Sequence, residues 1–130
     1  MYCYDEVFKE CLDYFKGDEL AANVFIGKYA LQNENGDYLE TTPDDMHKRL
    51  ASEFARIEEK YPNPMSKYEI YDLLKDFKYI VPQGSPMSGI GNDYKVQSLS
   101  NCFVIEAPYD SYGGILKTDQ EQVQIMKRRG

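Results

Sequence analysis

Cys102 is the residue in this chain best placed to react. It sits inside Ser98–Asp110 (SLSNCFVIEAPYD), an apolar, β-branched run with the composition of a buried strand. The polar pair Ser100-Asn101 comes just before the thiol, and Asp110-Ser111 closes the run. Upstream lies Val81–Asn92 (VPQGSPMSGIGN), rich in Gly, Ser and Pro. Such a stretch reads as a loop whose backbone N–H groups can approach a phosphate or ribose. A thiol between such groups can give up a proton or hydrogen atom and then close a disulfide with a partner. A lone cysteine on a strand also packs well as a small hydrophobe, and on composition alone that is the commoner case.

The other reactive side chains are weaker candidates. His47 is the one histidine. It stands among charged residues with no second ligand nearby, so a solvated or locally bonded ring is expected. Cys3 and Cys11 lie near the start and are expected to be packed structural thiols.

The elements that must position these groups are mostly helical. Asp5–Phe15 repeats apolar residues at helical spacing, with Gly17 suited to a C-cap. Asp18 is placed to cap a second helix to Leu31, with Leu20, Ala21, Val24, Phe25 and Tyr29 available for a core. Asn35-Gly36 marks a tight turn, and Tyr38-Leu39 a short extended piece. Thr42 then caps the clearest helix, with Pro43 at its first position and Met46, Leu50, Phe54 and Ile57 on one face. Two prolines end it at Tyr61–Pro64. Ser66 and Glu69 form a capping box for Lys67–Lys78. After the Gly/Ser/Pro loop comes a strand over Gln97–Glu106, then a helix from Asp110 to about Arg129, with Asp110 or Ser111 as its N-cap.

Length and composition bound the rest. The 130 residues suffice for one ordinary domain, and the net charge of −7 argues against binding nucleic acid through its backbone. No apolar run approaches the roughly 20 residues of a membrane span. Three cysteines without framework spacing suit a reducing cytoplasm.

Four ordered segments carry a resemblance: KYAL at Lys28–Leu31, GDYLETTPDDMHKRLA at Gly36–Ala51, VPQGSP at Val81–Pro86, and SLSNCFV at Ser98–Val104. Together they resemble the N-terminal portion of the large, catalytic subunit of ribonucleotide reductase, over roughly Ala21 to Gly130. The resemblance implies a mainly α N-terminal helical domain (1–80) running into the first strand and helix of an α/β catalytic domain of the ten-stranded barrel type (81–130). It implies that Cys102 is one cysteine of the reducing dithiol pair. Ser85, Pro86, Ser100, Asn101 and Gly130 would face the substrate nucleotide, and Asp110 and Ser111 the allosteric nucleotide that selects substrate.

The partner thiol, the thiyl-radical cysteine and the catalytic asparagine and glutamate have no counterparts here. The resemblance therefore implies completion by a continuing or separate chain, without which this one is inactive. It implies a radical source elsewhere, either adenosylcobalamin or a metal-bearing small subunit, and no cofactor or metal held by this segment. Further implied partners are a thioredoxin- or glutaredoxin-type reductant and a dimer mate at the last helix. No ATP-binding cone precedes the helical part, so switching through one is not expected. The alternative is a nucleotide-effector-binding or helical interaction module without catalysis.

Overall fold

The computed structural model describes all of residues 1–130. It contains six α-helices: α1 (Tyr4–Tyr14), α2 (Glu19–Lys28), α3 (Pro43–Glu58), α4 (Lys67–Leu74), α5 (Gly84–Gly89) and α6 (Tyr112–Met126). A 3₁₀ turn, Lys75–Phe77, follows α4.

The helix starts obey the capping chemistry of the sequence. Asp18 accepts a hydrogen bond from the Ala21 N–H at 3.0 Å, and Ser66 and Glu69 close a reciprocal box at the head of α4. Thr42 occupies the N-cap of α3 but makes no side-chain cap bond. Asp45 instead accepts from the backbone and hydroxyl of Thr41, each at 3.0 Å.

Helices α1 to α4 share one core. Val7 and Cys11 come from α1, Ala22, Phe25 and Ile26 from α2, Met46, Leu50 and Ala51 from α3, and Ile70 and Leu74 from α4. Leu20 and Val24, expected inside, are exposed, because α2 turns its Ala22–Phe25–Ile26 side inward. Phe54 and Ile57 are only partly covered. The eight residues of α4 cannot shield all sixteen of α3, and a helix gains only about 1.5 Å per residue. Cys11 is a packed thiol, as expected, donating to the Thr41 carbonyl at 2.8 Å. Cys3 is exposed, contrary to expectation, since it lies at the N-cap of α1 outside the core.

His47 corrects a second expectation. It is fully buried, and neither ring nitrogen has a hydrogen-bond partner. Its position follows from helical spacing: one residue after Met46 and three before Leu50, it falls on the edge of the inward face of α3. The Phe77 ring covers it edge-on, 4.6 Å between centroids. Phe77 reaches it from a turn in which Asp76 and Phe77 both adopt positive φ (54° and 55°), a region costly for non-glycine residues. Burial pulls the His47 pKa below its ordinary value, only partly opposed by Asp44 and Asp76.

There is no β-strand. The chain makes single antiparallel bridges from Tyr38 to Tyr2 and to Gln32, which is the short extended piece expected at Tyr38-Leu39. The strand expected over Gln97–Glu106 does not form. A strand exists by its ladder, and no second strand is present to pair with it. That segment's one backbone tie to a distant element is from Ser98 N–H to the Arg128 carbonyl, at 2.8 Å. Conversely, the stretch read as a Gly/Ser/Pro loop holds α5. Its helix is six residues long, with Gln83 as N-cap and Pro86 within the first turn, where the missing N–H is no loss.

Candidate functional site

The expected site residues lie on α5, on the irregular segment 97–106 and at the two ends of α6. Ser85 is buried in the first turn of α5, and Pro86 follows it on the rim of an apolar cleft. The Ser85 N–H donates to the Asn101 side-chain oxygen at 3.1 Å. Gln97 sends its amide to the Ser85 carbonyl at 3.3 Å and to the Ser88 hydroxyl at 2.9 Å. Two side chains from the cysteine segment thus hold both backbone groups of Ser85. The structure brings Ser85 and Asn101 together directly, with Cys102 next in the chain.

Gly89 makes this approach feasible. A Cβ there would lie 2.4 Å from the Gln97 amide nitrogen and 2.7 Å from Leu99. Gly89 therefore serves close side-chain approach.

Cys102 is exposed, not buried, because the segment carrying it has no strand neighbour. Ser100 is exposed beside it, its N–H held by the Ser98 hydroxyl at 3.0 Å. Gly130 packs on the ring of Phe103, the residue after Cys102, so closely that a Cβ would lie 2.4 Å from it. Gly130 therefore comes back beside the cysteine segment.

Asp110 and Ser111 sit at the head of α6, apart from the Ser85–Asn101 contact in sequence and in hydrogen bonding. Ser111 is the N-cap, accepting from the Gly114 N–H at 3.0 Å, which decides between the two cap candidates. Asp110 is exposed. The second glycine of Gly113-Gly114 has a structural cause: a Cβ on Gly114 would lie 2.5 Å from the Tyr109 carbonyl oxygen.

Two side chains that the sequence reading passed over hold α5 in place. Arg49 of α3 forms a buried pair with Glu40, its Nε 2.6 Å from Oε1, with side-chain exposures of 9% and 5%. The same guanidinium donates to the Met87 carbonyl at 3.0 Å and to the Ile90 carbonyl. Glu40 also accepts the Leu31 N–H at 2.9 Å. The signal available in the sequence was a Glu and an Arg inside an otherwise amphipathic segment, which reads equally well as solvated charge.

The electrostatics beside Gln97 favour anions. Lys28, Lys95 and Arg129 line one polar crevice with Ser88, Asn92 and Gln97, and no acidic residue lines it. In a chain of net charge −7 that is a local reversal of sign. On another face, an apolar cleft of about 430 Å³ runs between α3, α4 and residues 80–90, and Glu58 is its one ionisable lining residue. It offers packing surface and no chemistry. No group of three or more His, Cys, Asp or Glu side chains converges as metal ligands, and no helix is long and apolar enough to cross a membrane.

Residues 15–91, more than half of the chain, match the family model described as ribonucleotide reductase, all-alpha domain. No curated protein and no solved structure matches the chain.

Proposed function

This chain belongs to the ribonucleotide reductase family through its all-alpha domain, and from that premise we propose that it is the N-terminal part of a catalytic subunit contributing one reducing cysteine and part of the nucleotide site. In that reading Cys102 and a second thiol, on the remainder of the catalytic subunit, are oxidised together to a disulfide. Their two electrons and protons replace the ribose 2′ C–O bond with C–H, and the oxygen leaves as water. A thioredoxin- or glutaredoxin-type dithiol then reduces the disulfide again. The radical that opens the reaction comes from adenosylcobalamin or a metal-bearing small subunit, neither of which residues 1–130 would hold.

The observation that carries the reading is the bond from the Ser85 N–H to the Asn101 side chain. It joins the turn expected to meet the nucleotide to the residue preceding the expected reducing thiol. Two further features support it. Cys102 is exposed, as a thiol must be to meet both a substrate and a second thiol. The cationic crevice beside Gln97 suits a phosphate-bearing ligand. Ser100, Pro86 and Gly130 would flank the substrate. Asp110 and Ser111 would take the effector nucleotide, with Ser111 serving as the N-cap of α6 at the same time. The exposed apolar residues of α6 and of segment 97–106 would be covered by the rest of an α/β barrel and by a dimer mate.

The test is nucleotide reduction by this chain assembled with the polypeptide that completes the subunit. Cys102→Ser is expected to abolish deoxynucleotide formation, while Cys3→Ser and Cys11→Ser retain it. Full turnover by Cys102→Ser would sink the catalytic reading. Retained effector binding in that variant would then favour a nucleotide-effector module.

A further inference from the structure

Two of the segments that carry the family resemblance, and the residues just after a third, meet at one buried ion pair. Glu40 and Arg49 both lie within Gly36–Ala51. Leu31, the last residue of KYAL, donates its N–H to Glu40. Met87 and Ile90, just after VPQGSP, give their carbonyls to Arg49. Gly91 closes over the arginine stem: its φ is +71°, and a Cβ there would lie 2.9 Å from the Arg49 Cγ.

We propose that Arg49 and Glu40 are positioning residues for the nucleotide site, acting through α5. This rests on the reading of Ser85 and Cys102 given above. The helix α5 has six residues, among them Gly84, Pro86 and Gly89, and is far too short to hold its own shape. At its C-terminal end the guanidinium supplies donors to the Met87 carbonyl and to the carbonyl of the C-cap Ile90, while Asn92 serves those of Ser88 and Gly89. The planar fork reaches Glu40 and two carbonyls at once, which an ammonium cannot do. Fixing the C-terminal turn of α5 fixes the Ser85 backbone one turn earlier, and with it the Asn101 and Gln97 contacts that hold the cysteine segment. A buried ion pair contributes little net stability, since desolvation offsets attraction, but it holds one geometry. Neither residue is placed to touch the nucleotide.

The experiment uses the assembled reductase with Arg49→Lys, which keeps the charge and loses the fork. Glu40→Gln serves as a second variant should the first fail to fold, and Ser85→Ala as the control on the underlying reading. Arg49→Lys is expected to raise the KM for nucleotide roughly tenfold, with kcat changed less, as for the loss of about one hydrogen bond to the nucleotide. Amide exchange over residues 84–92 should speed up while the α1 and α2 amides keep their rates. A KM unchanged in Arg49→Lys and Glu40→Gln but raised in Ser85→Ala would overturn the positioning role and leave the site reading standing. A KM unchanged in all three would overturn both. Exchange accelerated uniformly through α1 to α4 would mark the pair as merely structural and overturn the proposal.

Discussion

Helices α3 and α6 are nearly equal in length, sixteen and fifteen residues, and each carries apolar side chains at intervals. Yet α3 buries Pro43, Met46, His47, Leu50 and Ala51, and α6 buries nothing. The difference is context. α3 lies among α1, α2 and α4, and each brings side chains to the same core. Leu116, Val123 and Met126 of α6 remain exposed, as do Val104 and Phe103 on the segment before it. An amphipathic helix draws most of its stability from the surface it covers, not from propensity. The molecule therefore combines helices α1 to α4, packed on one core, with a later segment that brings a thiol to the surface without a core of its own.

Truncations should expose this difference most strongly. Leu50→Ala removes a fully buried side chain and should cost about 2–5 kcal/mol of unfolding free energy in denaturant titration. Val104→Ala in the same assay should stay within about 0.5 kcal/mol, because an exposed side chain leaves no cavity. Equal losses at the two positions would erase the distinction.

A smaller effect sharpens the same contrast through pH. Burial depresses the His47 pKa in the folded state relative to 6.5 in the unfolded chain. The unfolded state then binds the extra proton first. The stability this neutral ring permits is present above about pH 6.5 and is lost as pH falls from there through the folded pKa. His47→Leu should flatten that part of the stability curve, read by thermal unfolding at a series of pH values. Other perturbed groups of the helical body keep their own slopes at the extremes. Burial would raise the Asp44 carboxyl, but hydrogen bonds from Lys48 and Tyr71 hold it below its ordinary value. Tyr71 is pushed up to about 12, chiefly by its bond to Asp44. Cys11 rises to about 11 through burial. An unaltered slope below about pH 6.5 in His47→Leu would show that the histidine is not the sensor.

What the sequence made legible follows the same division. Helix periodicity and caps marked the starts of α1 to α4 closely: Asp18, Ser66 with Glu69, and Pro43 all stand where their chemistry demands, but α4 stops at Leu74 and not at Lys78, because Asp76 and Phe77 turn to positive φ. These are local signals, spent within one turn. The errors came where the outcome depends on distant partners. The aromatic and β-branched run Phe103-Val104-Ile105 read as a strand, but a strand needs a neighbour that this chain does not supply. The Gly/Ser/Pro stretch read as an open loop, and a charge from α3 holds it as a helix. His47 read as solvated because its sequence neighbours are charged, although helical geometry turns it inward. Ser85 and Asn101 stand out in the sequence as motif residues, while their mutual bond and the Glu40–Arg49 pair behind them do not. Both join residues more than two helical turns apart along the chain, beyond the reach of cap and periodicity signals.

Residue-resolved amide hydrogen exchange on the full chain tests the division most directly. Leu50, Ala51 and their neighbours in α3 should exchange slowest, with α1, α2 and α4 close behind, while α6 and residues 97–106 exchange near the rate of unstructured peptide. Protection in α6 equal to that in α3 would contradict this division, because α6 would then possess a core that no buried residue of that helix provides.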